Sequence, residues 1–209
     1  MKSSHVFSTC ASFVFLTVAV SAQDVGAGIT IPNDELDGGG GRINVDTSNP
    51  LTLGPGTYTA SLFNFDAGQS GDVTPFLATL TSGDLYEAIA VGADQTVSGV
   101  MTDASVPFGG SATFTLTATT TIYAGIASDT QNPIFLDNGT GPFTEHEGGG
   151  QPASSYVVTL GGPVPPDGSF SNPNLARTYA FSVTVVPEPT TFAAALLGSL
   201  VLGLRRQRS

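Results

Sequence analysis

Ala112-Thr113-Phe114-Thr115-Leu116-Thr117-Ala118 is the stretch that decides the fold class. Apolar residues and threonines alternate strictly, and only an extended strand turns a period of two into two faces. Ala112, Phe114, Leu116 and Ala118 make a core-facing side, and Thr113, Thr115 and Thr117 make a wet one. The same period recurs in Tyr179, Phe181, Val183 and Val185, and again in Tyr156, Val158 and Leu160. Strands are also predicted over 42–45, 57–65, 76–81, 86–91, 95–101 and 121–127. Gly and Pro clusters at 38–41, 54–56, 68–71, 107–110, 148–152 and 161–168 punctuate them. No amphipathic helix of useful length interrupts this pattern. About nine short strands at such spacing predict an all-β, antiparallel two-sheet sandwich of jelly-roll-like form over 23–185, without an internal linker.

The 209 residues suit one such domain plus targeting segments. Charge is scarce and uneven. Six Lys+Arg face 17 Asp+Glu, and between Gln23 and Val186 only Arg42 and Arg177 are cationic, against 16 acids. A body carrying 16 negative and 2 positive charges has a net charge of −14. It has no basic surface to displace phosphate counterions, so nucleic acid is excluded as a partner.

Both ends read as targeting. Residues 1–22 begin with Lys2, continue through an apolar run from Cys10 to Val20, and end in small residues at Ser21 and Ala22. That order describes a secretory signal helix, with cleavage expected between Ala22 and Gln23. Cys10 stands at the start of the apolar run and not after it, which argues against a lipoprotein site. Cleavage removes the only cysteine, leaving the mature chain without a thiol, disulfide or cysteine metal site.

At the other end, Val186-Pro187-Glu188-Pro189 leads into an uncharged, Leu- and Ala-rich run over 190–204 and then into Arg205, Arg206 and Arg208. The two prolines are expected to separate the body from the apolar run. As a helix the run spans roughly 22 Å, short of a ~30 Å hydrocarbon core unless the bilayer thins and the arginines snorkel. The arginines are expected to act as a cytoplasmic stop, which places the body across the membrane.

These residues resemble the PEP-CTERM sorting signal of exosortase substrates, over Val186 to Ser209 only. The resemblance implies a helix that holds the exported precursor in the inner membrane and an exosortase that recognises Pro187, Glu188 and Pro189. Cleavage near them delivers the body to the cell surface or the medium. Proteins with this signal are often associated with exopolysaccharide and biofilm matrix, and some ice-binding proteins carry it too. Secretion machinery and exosortase are therefore the expected partners, with exopolysaccharide as a further one.

The body offers little chemistry. His146 sits between Glu145 and Glu147 before a Gly run, and is read as part of a solvated loop, since the mature chain has no second histidine to complete a site. No Gly-x-Ser-x-Gly elbow supports a hydrolase triad. Asp34, Glu35 and Asp37 are the calcium candidates, but they lack a regular ligand spacing and read better as an exposed acidic turn. Asn138-Gly139 reads as a turn. A threonine row on one strand invites an ice-binding reading, which needs the same row on stacked neighbours. The expectation is a non-enzymatic surface or matrix component, without a cofactor. The alternatives are a carbohydrate-binding module that stacks exposed aromatics on sugars, a carboxylate-dependent glycoside hydrolase, and an ice-binding protein.

Overall fold

The computed structural model of the chain describes residues 21–31, 35–36, 41–147, 156–166, 168, 170 and 172–188. The rest of the expected signal helix, the 190–204 run, Pro189, the terminal arginines, Asp34 and Asp37 lie outside these residues. What is described is all-β, with antiparallel sheets and no α-helix.

Fourteen strands occur in chain order. They are β1 (Gln23–Gly28), β2 (Arg42–Asp46), β3 (Leu51–Leu53), β4 (Gly56–Ala67) and β5 (Gly71–Ser82). Next come β6 (Leu85–Val91), β7 (Gln95–Val97), β8 (Met101–Pro107), β9 (Thr113–Leu116) and β10 (Thr120–Ser128). The last are β11 (Leu136–Glu147), β12 (Pro163–Val164), β13 (Asn172–Tyr179) and β14 (Phe181–Pro187). One sheet has five strands in the order β1-β14-β4-β8, with β9 pairing the other end of β4. The second has nine, in the order β12-β6-β5-β10-β2-β11-β13, with β3 on β10 and β7 on β5.

The period-two residues of both sheets meet in one core. Phe63, Phe65, Phe114, Phe181 and Val183 come from the five-stranded sheet, and Leu77, Ile122, Ile126, Phe143 and Tyr179 from the nine-stranded one. Phe63 stacks on Phe65 with ring centroids 4.8 Å apart, and Phe143 meets Tyr179 edge-on at 5.2 Å. Buried aromatic pairs of this kind add to the stabilisation from area alone.

A second core lies on the opposite face of the larger sheet. Ile43, Val45, Phe76, Ala78 and Ala127 are covered there by Tyr156, Val158, Val164 and Phe170. That sheet is apolar on both faces along its middle strands, which explains why Phe76, Leu77 and Ala78 are all buried in a row.

Several expected elements differ. Tyr156–Leu160 forms no strand; it is part of the cover, with Tyr156 and Val158 buried and Val157 and Leu160 exposed. The expected 95–101 strand is broken into β7 and β8. The run from Tyr179 to Val185 is divided at Ala180, where the chain leaves the nine-stranded sheet and enters the five-stranded one. His146 lies in β11, opposite Ile43, and not in a loop. Asn138-Gly139 also lies within β11, whose register on β13 shifts between Asn138 and Pro142. Pairing with β13 at Asn138, and with β2 from Phe143 to Glu147, overrides the local turn preference.

Candidate functional site

The last strand carries the start of the expected sorting motif. Inward-facing Val183 and Val185 anchor β14 in the core, and its pairing on β4 continues through Val186 opposite Thr59 and Pro187 opposite Tyr58. Proline is tolerated at this strand end because the ladder asks nothing more of its missing N–H. One residue on, the Glu188 N–H donates to the Thr57 carbonyl oxygen at 2.8 Å. The Thr59 hydroxyl donates to Glu188 Oε1. The strand thus runs beyond the expected boundary at Val185, and two of the three motif residues lie against the sheet.

The platform beneath them is held by contacts on both faces. On its inner side the Tyr58 hydroxyl donates to the Gly54 carbonyl at 2.9 Å, and its ring stacks on Phe114 at 5.7 Å. On its outer side Thr59 pairs with Thr113, and Thr57 with Thr115, each hydroxyl pair 3.1 Å apart. The threonine row read on a single strand therefore has a matching row on β4. This makes a patch of four, and Glu188 lies at its edge. Sequence reasoning missed Thr57 and Thr59 as partners of the motif. The signal was present as Gly56-Thr-Tyr-Thr-Ala60, which repeats the alternation of 112–118.

Farther along the same face the row is replaced by a mixed polar network. Asn64 donates to Thr184 Oγ1 at 3.0 Å and accepts from Ser105 at 2.8 Å, while Thr184 donates to Asp24 at 2.6 Å. The amino end arrives here too. Gln23 is the first residue of β1 and pairs with Val185, with Ser21 and Ala22 exposed and outside any strand. Because β1 and β14 are antiparallel, the expected signal cleavage site and the sorting motif leave the same end of the same sheet.

A groove opens at the rim of the nine-stranded sheet, with a volume of 240 Å³. Asp72, Asp94, Asp129, Thr74 and Tyr156 contribute to its lining, and Thr74 donates to Asp94 at 3.1 Å. Among the described residues no three His, Cys, Asp or Glu side chains gather so as to hold a metal ion. Of the calcium candidates, Glu35 is exposed and forms a two-way backbone bridge with Leu136, each hydrogen bond 2.9 Å long. Every aromatic side chain among the described residues with assigned burial is buried or half-buried, so none offers an exposed platform to a sugar ring.

Two titratable groups are displaced by burial. Burial pushes the Asp46 carboxyl up, opposed by hydrogen bonds from the Asn49 side chain and the Ser48 and Asn49 amides. Tyr86 is pushed up to about 12, first by burial and then by neighbouring Tyr123, while a hydrogen bond with Thr144 acts the other way. Asn44 is fully buried, and neither its amide nitrogen nor its oxygen has a partner. These groups sit in the framework, away from the motif.

Among the described residues no helix is long and apolar enough to cross a membrane. No family model, curated protein or solved structure matches this chain.

Proposed function

We propose that the chain is an exported cell-surface or extracellular-matrix protein with no catalysis of its own. Residues 1–22 direct its export, and a PEP-CTERM segment over 186–209 sorts it. Its body is a jelly-roll-like β-sandwich that serves as a building block with an apolar core and an acidic surface. The observation that carries this reading is the tripartite order of Pro187-Glu188-Pro189, an uncharged apolar run, and Arg205, Arg206 and Arg208. A soluble amphipathic helix carries a polar face, and the 190–204 run has no charged residue to build one.

In this account secretion machinery delivers the precursor, the apolar run holds it in the inner membrane with its arginines cytoplasmic, and an exosortase cuts near the motif. The net charge of −14 over 23–186 then keeps the released body soluble and away from anionic lipid. The carbohydrate-binding alternative draws nothing from the described aromatics. It rests instead on the polar rim of the 240 Å³ groove. The test is cell fractionation with intact-mass measurement of both termini, in the wild type and in Pro187→Ala and Glu188→Ala variants. The reading expects trimmed wild-type protein outside the inner membrane and untrimmed variants retained in it. Identical processing of all three removes exosortase recognition from the account. A glycan array tests the alternative.

A further inference from the structure

We propose that the fold gates its own sorting cleavage. Pro187 and Glu188, zipped onto Thr57–Thr59 as the last rung of the sheet, must peel away before a membrane protease can take hold of the motif. This inference rests on the reading of residues 187–189 as the sorting motif, and concerns the step before any bond is broken.

A protease that binds its substrate in extended form competes for the same backbone groups as a neighbouring strand. Here the first of those groups is already committed, and a side-chain contact joins it. The Glu188 N–H is given to the Thr57 carbonyl at 2.8 Å, its carboxylate accepts from the Thr59 hydroxyl, and Pro187 sits opposite Tyr58. The platform cannot easily follow the motif outward, because Tyr58 is held between Phe114 and the Gly54 carbonyl.

Opening is local. Val183 and Val185 stay in the core when the chain peels only from Val186 onward, so the gate is drawn from the fraying end of a strand and not from global unfolding. Glu188 has a double part in this account: docked, it accepts from Thr59; released, it is the acidic residue offered to the protease.

The test is a disulfide clamp in a Cys10→Ser background, which leaves no native cysteine. Thr59 and Val186 are cross-strand partners, so Thr59→Cys with Val186→Cys places two thiols within disulfide reach across the rung. Asn64→Cys with Ser182→Cys, also partners in the same two strands, is the control pair distant from the motif. Loss of the carboxyl segment is monitored by pulse-chase and intact mass in cells carrying an exosortase. The oxidised clamp should process about tenfold or more slowly than the same protein reduced by dithiothreitol, while oxidation of the control pair leaves its rate unchanged. Thr59→Ala, which removes one hydrogen bond from the closed rung, should speed processing by about threefold. Equal rates in the oxidised clamp and in the same protein reduced, with the disulfide confirmed by thiol counting, overturn the gate. If the wild type itself keeps its carboxyl segment, the motif reading has failed and the gate falls with it, an outcome distinguishable because it needs no clamp.

Discussion

Gly125 gives the clearest handle on the second core. It pairs with Phe76 across β10 and β5, and the Phe76 ring covers the space where a side chain would stand. A methyl group there would lie 2.2 Å from Phe76 Cζ and 2.7 Å from the Asn44 carbonyl oxygen. The ring is fully buried under the 156–170 cover, in close-packed surroundings that leave it little room to retreat. Overpacking of this kind costs about 1–3 kcal/mol, and replacing a strand glycine returns 0.5–1 kcal/mol of that, roughly, through lower chain entropy. Gly125→Ala should therefore lose about 1–2 kcal/mol net, a fall in Tm of about 3–8 °C for a body of this length. Trimming the obstacle tests the cause. Phe76→Leu destabilises by itself, but the double variant should be more stable than the sum of the two losses by at least about 0.5 kcal/mol. Rescue stays incomplete because the Asn44 carbonyl does not move with the ring. Thermal and urea unfolding of all four proteins supplies the cycle. An unchanged Tm for Gly125→Ala, or strict additivity, refutes the doubly covered sheet.

The remaining predictions concern the first core and the displaced groups. Phe63→Ala removes a fully buried ring stacked at 4.8 Å on Phe65 and should cost about 3–5 kcal/mol by urea unfolding. Val100→Ala, at a side chain 70% exposed, should cost under about 0.5 kcal/mol in the same assay. Asp46 titrates above its ordinary value, so its contribution to stability is fully present below that value and is lost as pH rises through the raised one. Stability of the wild type should accordingly gain on that of Asp46→Asn as pH falls from about 7 to about 4, and a pH-independent difference contradicts this. Tyr86 is likewise raised, so its share of stability persists to pH 10.0 and is lost toward about 12. Spectrophotometric titration should find Tyr86 ionising there, and Tyr86→Phe should remove its share of the signal.

The fold class was legible in the sequence because alternation is a direct image of strand geometry. Phe114, Leu116, Phe181, Val183 and Val185 all point where their period says. The second core was not legible. Tyr156 and Val158 of its cover lie outside any strand, and a strand buried on both faces, such as β5 at Phe76-Leu77-Ala78, loses the alternation that would announce it. The crossing at Ala180 was hidden for the opposite reason: the period runs through it unbroken while the chain changes sheets. β11 was missed because Asn138-Gly139 and the residues around His146 have turn chemistry, and pairing with strands distant in sequence decided otherwise. At the candidate site, the expected sorting motif is a reading of local sequence alone. Its docking on Thr57 and Thr59 depends on a contact across 129 positions of sequence, which no local pattern reveals.

Intact-mass spectrometry of the protein recovered from the cell surface and medium tests the central claim most directly. The account predicts a species that starts at Gln23 and ends at or close to Pro187-Glu188-Pro189, without the apolar run and its arginines. A full-length chain from Met1 to Ser209, recovered intact from the cytoplasm of cells that carry the secretion machinery and an exosortase, contradicts it.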